Sequence, residues 1–341
     1  MTAAPRPPSW RPQAAPGVLA ARARMLATVR RFFADRGVLE VETPVLSAAA
    51  TTDPQIESFA TAYSGPGAAE PRPAWLLSSP ELAMKRLLAA GAGDIYQIAR
   101  AFRNGELGRW HNPEFTLLEW YRRDRDHRDL AAETVELIAA VAVGPRRPGA
   151  AVSLAYGPLF EECTGVDPHV ATGAGGVAEL AAAARRHGIE APAGLDRTDP
   201  SPWLDLLFSH RVQPALAAMG LVVVSDYPAS QAALARVRPG RPGGSPAVAE
   251  RFEVFWDGLE LANGFHELTD AAEQRARFAA ELRRRAAAGS PPVPADERFL
   301  AALDAGLPAC AGVAVGLDRC LARTLGAACL AEVLAFPWER A

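Results

Sequence analysis

Glu260 and Glu267 stand seven residues apart and bracket an Asn-Gly-Phe step, in a segment that otherwise reads as sheet. Folded as a hairpin about Asp257-Gly258, this segment pairs Trp256 with Leu259, Phe255 with Glu260, and Glu253 with Ala262. Glu253 and Glu260 then project from one face as diagonal neighbours, about 7–8 Å apart at the backbone and within reach of one cation. An all-oxygen pair without Cys or His favours Mg²⁺, which usually arrives with substrate phosphates. Strict alternation sends Glu267 to the other face, and a bulge at Gly264 would bring it back.

A second set of residues suits an anion. Arg319 opens a helical stretch, where the helix dipole disfavours a cation by about 0.3–1 kcal/mol unless a negative group is near. Gly312 and Gly316 just before it would let backbone approach a flat or phosphorylated ligand. Together with Arg319, Arg103 and Phe115 offer phosphate contacts and an aromatic surface for a base.

The elements that must position these groups follow from periodicity. Residues 18–35 repeat apolar positions at helical spacing and stop at Gly37. "VLEVETPVLS" alternates as a strand cut by Pro44, and "AWLLSSPELAMKRLLAAG" reads as strand, turn and helix, with Ser79 as N-cap. In "DIYQIARAFRNGELGRWHNPEFTLLEWYRRD", two strands flank a polar loop. Gln97, Ala99, Ala101 and Arg103 share one face of the first, and Phe115, Leu117, Glu119 and Tyr121 share one face of the second. "GLVVVSDYP" is a buried strand, 270–288 a helix, and "CAGVAVGLDRCLARTLGA" a strand running into a helix. Antiparallel strands with helices between them predict an α+β fold. Neither G-x-G-x-x-G nor G-x-x-x-x-G-K-[ST] occurs. Residues about 144–202, rich in Gly, Pro and Ala, read as an insertion, and the Pro-rich residues 1–17 as a disordered leader.

The chain has 341 residues, 49 % of them hydrophobic, and a net charge of −3. These values describe a soluble globular protein without the basic excess that holds nucleic acid by its phosphates. No signal peptide or membrane span is legible, so a cytoplasmic protein is expected. Cys163, Cys310, Cys320 and Cys329 form no C-x-x-C pair and read as reduced packing thiols. Some groups also have plainer readings. Glu81 and Lys85, four apart on a helix, could simply be a surface ion pair of about 0.2–0.5 kcal/mol, although the helix start favours a pocket role for Glu81. Arg283 to Arg285 read as a solvated face, and His111 and His266 as loop or structural histidines.

"RFFADRGVLEVETPVLS", "FRNGELGRWHNPEFTLLEWY" and "GVAVGLDR" resemble motifs 1, 2 and 3 of the class II aminoacyl-tRNA synthetases. "SSPELAMKRLL" and "ELANGFHEL" resemble the lysyl branch, in particular the elongation factor P (R)-β-lysine ligases, which lack an anticodon-binding domain ahead of motif 1. The resemblance covers most of residues 20–341. It implies one catalytic domain over 18–341, built on a six-stranded antiparallel sheet flanked by helices and dimeric through motif 1. It implies ATP as substrate, with Arg103 on the α-phosphate and substrate carboxylate, Phe115 stacked on adenine and Arg319 on the distal phosphates. Asn104, Gly105, Asn112, Leu261 and Gly316 complete the implied ATP site, and Glu253 and Glu260 the Mg²⁺ ligands. Ser79, Pro80, Glu81, Glu119, Tyr121, Glu267 and Ala314 would line a diamino acid pocket, with Glu267 facing the terminal ammonium.

In that family (R)-β-lysine is activated as its adenylate and passed to a lysine ε-amine of elongation factor P, with no tRNA. The alternatives are a lysyl-tRNA synthetase-like enzyme using α-lysine, and a non-catalytic ATP or amino-acid sensor. Two positions bear on the choice. Gly105 stands where motif 2 usually has Glu, with Glu106 next. Ala314 stands where lysyl-tRNA synthetases usually carry Gly and the β-lysine ligases Ala.

Overall fold

The computed structural model describes residues 10–169, 171, 173–241 and 244–341. Of the stretch read as a leader, residues 1–9 lie outside that set. Trp10 to Ala15 run along the C-terminal tail, with Ala14 buried and the Gln13 N–H donating to Ala335 O at 2.8 Å.

Helix α1 (Pro16–Ala34) buries Ala21, Met25, Val29, Phe32 and Phe33, the stripe its spacing predicts. Gly37, at φ 66°, then turns the chain into β1 (Leu39–Glu40). A small antiparallel sheet comes next, β2 (Leu46–Ser47), β3 (Ala60–Tyr63) and β4 (Arg72–Leu76), in the order β2-β4-β3. After it the chain forms α2 (Glu81–Ala89), β5 (Ile95–Phe102), β6 (Glu114–Arg123) and α3 (His127–Val141). Helix α2 begins at Glu81 as expected, but Pro80, not Ser79, is its N-cap, and Ser79 Oγ accepts from Glu81 N–H at 3.4 Å.

Residues 144–202 contain β7 (Val152–Ala155), α4 (Tyr156–Thr164) and α5 (Gly173–Arg186), with α6 (Ser201–Leu207) at their end. The remaining elements are α7 (Gln213–Leu216), β8 (Leu221–Pro228), β9 (Val237–Arg238), β10 (Val248–Trp256), β11 (Leu259–His266), α8 (Ala271–Ala287), α9 (Glu297–Gly306), β12 (Cys310–Gly316) and α10 (Leu317–Leu325).

The main sheet runs β1-β5-β6-β12-β11-β10-β8-β7, with β9 beside β10. The six strands from β5 to β8 are antiparallel throughout, as expected, but the sheet is larger than six and mixed. Its edges are extended by short parallel strands, β1 on β5 and β7 on β8, and by the antiparallel β9. One face of the sheet packs under α1, α3 and α10 in a core that includes Phe33, Trp120, Phe252, Val254 and Val313. A second core, around Phe160, Trp203 and Phe255, covers the β8–β10 end of the opposite face. The rest of that face stays open. Among the described residues no helix is long and apolar enough to cross a membrane.

The hairpin turn is as predicted, with Asp257 and Gly258 both at positive φ and Trp256 opposite Leu259. Beyond Phe255–Glu260 the register slips, so Glu253 faces Asn263 and Ala262 faces Val254. The bulge therefore lies at Leu261–Ala262 and not at Gly264. Leu261 and Ala262 both enter the helix-side core, and burying two consecutive apolar side chains on one side is what breaks the alternation. Gly264 has a different reason to be glycine: a Cβ there would sit 2.4 Å from the Phe252 ring.

The expected solvated face at Arg283 to Arg285 is corrected at one position. Arg285 is buried, donating to Asp53 O and Ile56 O and pairing with Glu57 at 2.8 Å. Glu57 O in turn accepts from Asn104 N–H, so α8 anchors the loop that carries motif 2.

Candidate active site

On the open face, β6, β11 and β12 floor a cavity of 740 Å³, with α2 and α8 contributing to its walls. Register assembles it: Gln97 lies opposite Glu119, Ala99 opposite Leu117 and Ala101 opposite Phe115, while Glu119 pairs on its other side with Ala314. The β11 bulge then puts Glu260, Asn263, Phe265 and Glu267 into the same cavity.

One end is acidic and buried. Glu81, Glu119 and Glu267 line it, and Lys85 of α2 lies among them. Lys85 is 1 % exposed, with Nζ 2.7 Å from Glu81 Oε1 and 2.5 Å from Glu267 Oε2. Burial alone would lower the Lys85 pKa; Glu267 and Glu81 together outweigh it and hold the ammonium above its usual range. Burial pushes the Glu267 carboxyl up to about 7 against the pull of Lys85, with Glu81 adding to the rise.

Glu119 is raised well above the usual carboxylate range by burial and by Glu81. Its Oε1 accepts from Tyr121 OH at 2.6 Å, and its Oε2 is buried with no hydrogen-bond partner among the described residues. That oxygen leaves the acidic end with hydrogen-bonding capacity a ligand can use. Gly312 makes the arrangement possible. A Cβ at that position would lie 2.3 Å from both Glu267 Oε1 and the Tyr121 ring, so its glycine makes room for these side chains instead of a ligand approaching backbone.

The other end carries arginines. Arg103 lies with its guanidinium 5.2 Å from the Phe115 ring centre, 3.6 Å from Glu106, and with a buried Nε that has no acceptor. Arg319, in the first turn of α10, donates to Trp110 O and Glu260 O, and its Nη2 is 2.8 Å from His111 Nε2. Burial, then the Arg319 charge, lowers the His111 pKa, which favours the neutral ring. Behind Arg319, buried Asp318 accepts from Thr116 N–H at 2.7 Å and pairs with Arg22 of α1, fixing α10 against motif 2.

Not every expected residue reaches the cavity. Ser79, Glu81, Arg103, Asn112, Phe115, Glu119, Tyr121, Glu260, Leu261, Glu267, Ala314, Gly316 and Arg319 line it, whereas Pro80, Asn104, Gly105 and Glu253 do not. Gly105 turns the loop at φ 80°, and Glu106 faces the cavity instead. The Asn112 amide donates to Glu114 O and accepts from Trp338 N–H, which fix its orientation at the cavity wall.

Glu253 sits one layer back in an ion pair with Arg251. Burial pushes its carboxyl up to about 7, Arg251 draws it down, and the nearby Glu260 charge pushes it up again. Two neighbouring carboxylates that resist joint ionisation are a donor set that fits Mg²⁺.

The sequence reading gave no site role to three residues: Lys85, packed behind the lining acids, and His111 and Glu106, which line the cavity. Lys85 falls in the stripe that buries Met84 and Leu88, a signal for burial that the surface-pair reading passed over. His111 and Glu106 lie on the motif 2 loop and left no periodic signal.

The family model described as tRNA synthetases class II (D, K and N) matches residues 9–340. The chain belongs to that family. Class II membership accounts for the six antiparallel strands, for motif 2 on β5, β6 and their loop, and for motif 3 on β12 and α10. It makes the chain an ATP-dependent, amino-acid-activating enzyme by family, of the aminoacyl-adenylate-forming ligase class, in a family that generally uses Mg²⁺.

Proposed function

We propose that this class II enzyme activates (R)-β-lysine and transfers it to a lysine ε-amine of elongation factor P. The observation that carries the reading is the unpartnered, buried Glu119 Oε2 in a pocket with three carboxylates and a single lysine. One cation is already supplied by Lys85; the acid surplus calls for a substrate that brings ammonium groups of its own. Ala314, in register with Glu119, bears the methyl that the β-lysine ligases carry and so favours the β isomer over α-lysine. The chain's net charge of −3 favours a protein acceptor over tRNA. A homodimer through motif 1 agrees with exposed Leu39, Val45 and Leu46 on that segment.

The substrate carboxylate is ionised near pH 7, so its attack on the α-phosphorus needs alignment and charge neutralisation more than a base. The Arg103 guanidinium would hold that carboxylate and the α-phosphate, and Arg319 the distal phosphates. An oxygen–phosphorus bond forms, the α,β-bridging bond breaks, and pyrophosphate leaves. Mg²⁺, held by Glu260 with Glu253 behind it, supplies positive charge to the phosphates when bound. Phe115 offers its ring to adenine, and Glu267 and Glu119 fix the substrate ammonium groups. In the second step a neutral ε-amine attacks the acyl carbon, the C–O bond to AMP breaks with its pair leaving on the phosphate oxygen, and the nitrogen's surplus proton passes to that phosphate or to water.

Intact mass of elongation factor P after incubation with the enzyme, ATP, Mg²⁺ and either lysine isomer tests the reading. One added lysyl unit, in greater yield with (R)-β-lysine and abolished by Glu267→Ala, is the expected result. Pyrophosphate exchange without any gain in mass would sink the acceptor assignment, and neither activity would sink the enzyme.

A further inference from the structure

β10 and β11 present chemistry on both faces. Phe265 and Glu267 line the cavity, and His266 between them points into the helix layer. There His266, Glu250 of β10 and His127 of α3 each offer one donor atom, and the three atoms lie within 4.8 Å of one another. None of these residues is used by the cavity on the other face.

His127 supplies a second, independent observation. It is 2 % exposed, its Nε2 lies 3.3 Å from Asp226 Oδ1, and its Nδ1 is buried with no partner among the described residues. With Nε2–H donating to Asp226, Nδ1 holds an unshared pair in a dry site, the state in which imidazole binds a metal. Glu250 Oε2 is 2.7 Å from His266 Nδ1, so these two donors already converge. Arg236 and Arg238 approach Glu250 only to 3.7 and 3.6 Å, and both are largely exposed. Such pairs hold a carboxylate weakly and yield to a stronger partner.

We propose that His127, Glu250 and His266 form a divalent transition-metal site, for zinc by ligand type, that clamps the end of β11 to α3. Two imidazoles and one carboxylate suit Zn²⁺ and leave a fourth position open, whereas Mg²⁺ prefers oxygen alone. Because His266 adjoins Glu267, the clamp would hold the strand end that positions the acidic pocket, with no contact between the zinc and the substrate.

The chelator-treated full chain is titrated with Zn²⁺ by calorimetry in excess Mg²⁺, and with Co²⁺ by visible absorption. One equivalent is expected to bind, with an intense tetrahedral-type Co²⁺ spectrum. His266→Gln and His127→Ala should each weaken binding by about 10–100-fold, judged against what loss of a supporting group already costs metal sites. A double Cys163→Ser, Cys329→Ser variant should bind as the parent does, which excludes the two partly exposed thiols. Circular dichroism checks that the variants fold, and His266→Gln serves if His127→Ala does not. No stoichiometric binding, the weak spectrum of hydrated Co²⁺, or affinity indifferent to both histidines would overturn the proposal.

Discussion

The two ends of the cavity both combine acids with cations, yet they differ in burial and in what their charges can do. At the amino-acid end Lys85, Glu119 and Glu267 are each no more than 2 % exposed. At the phosphate end the Arg103, Glu106, Arg319 and Glu260 side chains retain 19–37 % exposure. Buried carboxylates crowd one another until proton loss becomes costly, which pushes Glu267 up to about 7 and Glu119 well above the usual carboxylate range. Guanidinium groups do not lose their protons, so the other end stays cationic at any working pH. Amino-acid recognition is expected to follow the Glu267 carboxyl, while the arginines expected to meet the phosphates keep their charge.

The largest test of this contrast removes the fixed charge. Arg103→Ala should lower pyrophosphate exchange by about 10²–10³-fold, and Arg103→Lys should not restore it, because a point charge cannot replace the guanidinium fork. Glu267→Gln should lower kcat/KM for the diamino substrate by about 10–10²-fold, the cost of leaving a charged partner unpaired, and leave the KM for ATP alone. Equal losses for both substrates would end the division into two ends.

A pH series sharpens the contrast. An ammonium bound at Glu267 lowers that carboxyl from about 7, so binding releases a proton. Affinity for the diamino substrate should rise by up to about tenfold per pH unit below 7 and level off above it. Stability carries the opposite sign: Glu267 binds protons more tightly folded than unfolded, so it makes the chain less stable as pH rises from 4.5 through 7. Thermal melts at several pH values, compared with Glu267→Gln, isolate that contribution. The smallest effect is expected at Gly312→Ala, where overpacking against Glu267 and Tyr121 should cost about 1–3 kcal/mol, read as a lowered Tm.

Much of this was legible in the residues. Alternation placed Glu119 and Tyr121 on the face of Phe115, and the Asp-Gly step gave the hairpin turn. The faces were legible because a strand has only two. What escaped depended on packing between distant segments. Nothing local says that the helix-side core takes both Leu261 and Ala262, so the bulge was expected three residues too late. Lys85 looked like a surface partner for Glu81 because its second partner, Glu267, lies far along the chain. Arg285 sat within a charged run whose neighbours gave no hint of the loop it pins. The edge strands β1 and β7 are too short for a period to register.

The displaced alternation at Leu261–Ala262 makes the interval between Glu260 and Glu267 behave like a reading frame. Losing one residue between the bulge and Glu267 would keep every strand in place and yet exchange the two sides of the strand from that point to its end. His266 would then face the cavity, and Glu267 would be driven to the helix side, against the Glu250 carboxylate and His127. A sequence drifting under selection can thus substitute freely at several of these positions, but it can shorten or lengthen the stretch only in steps of two.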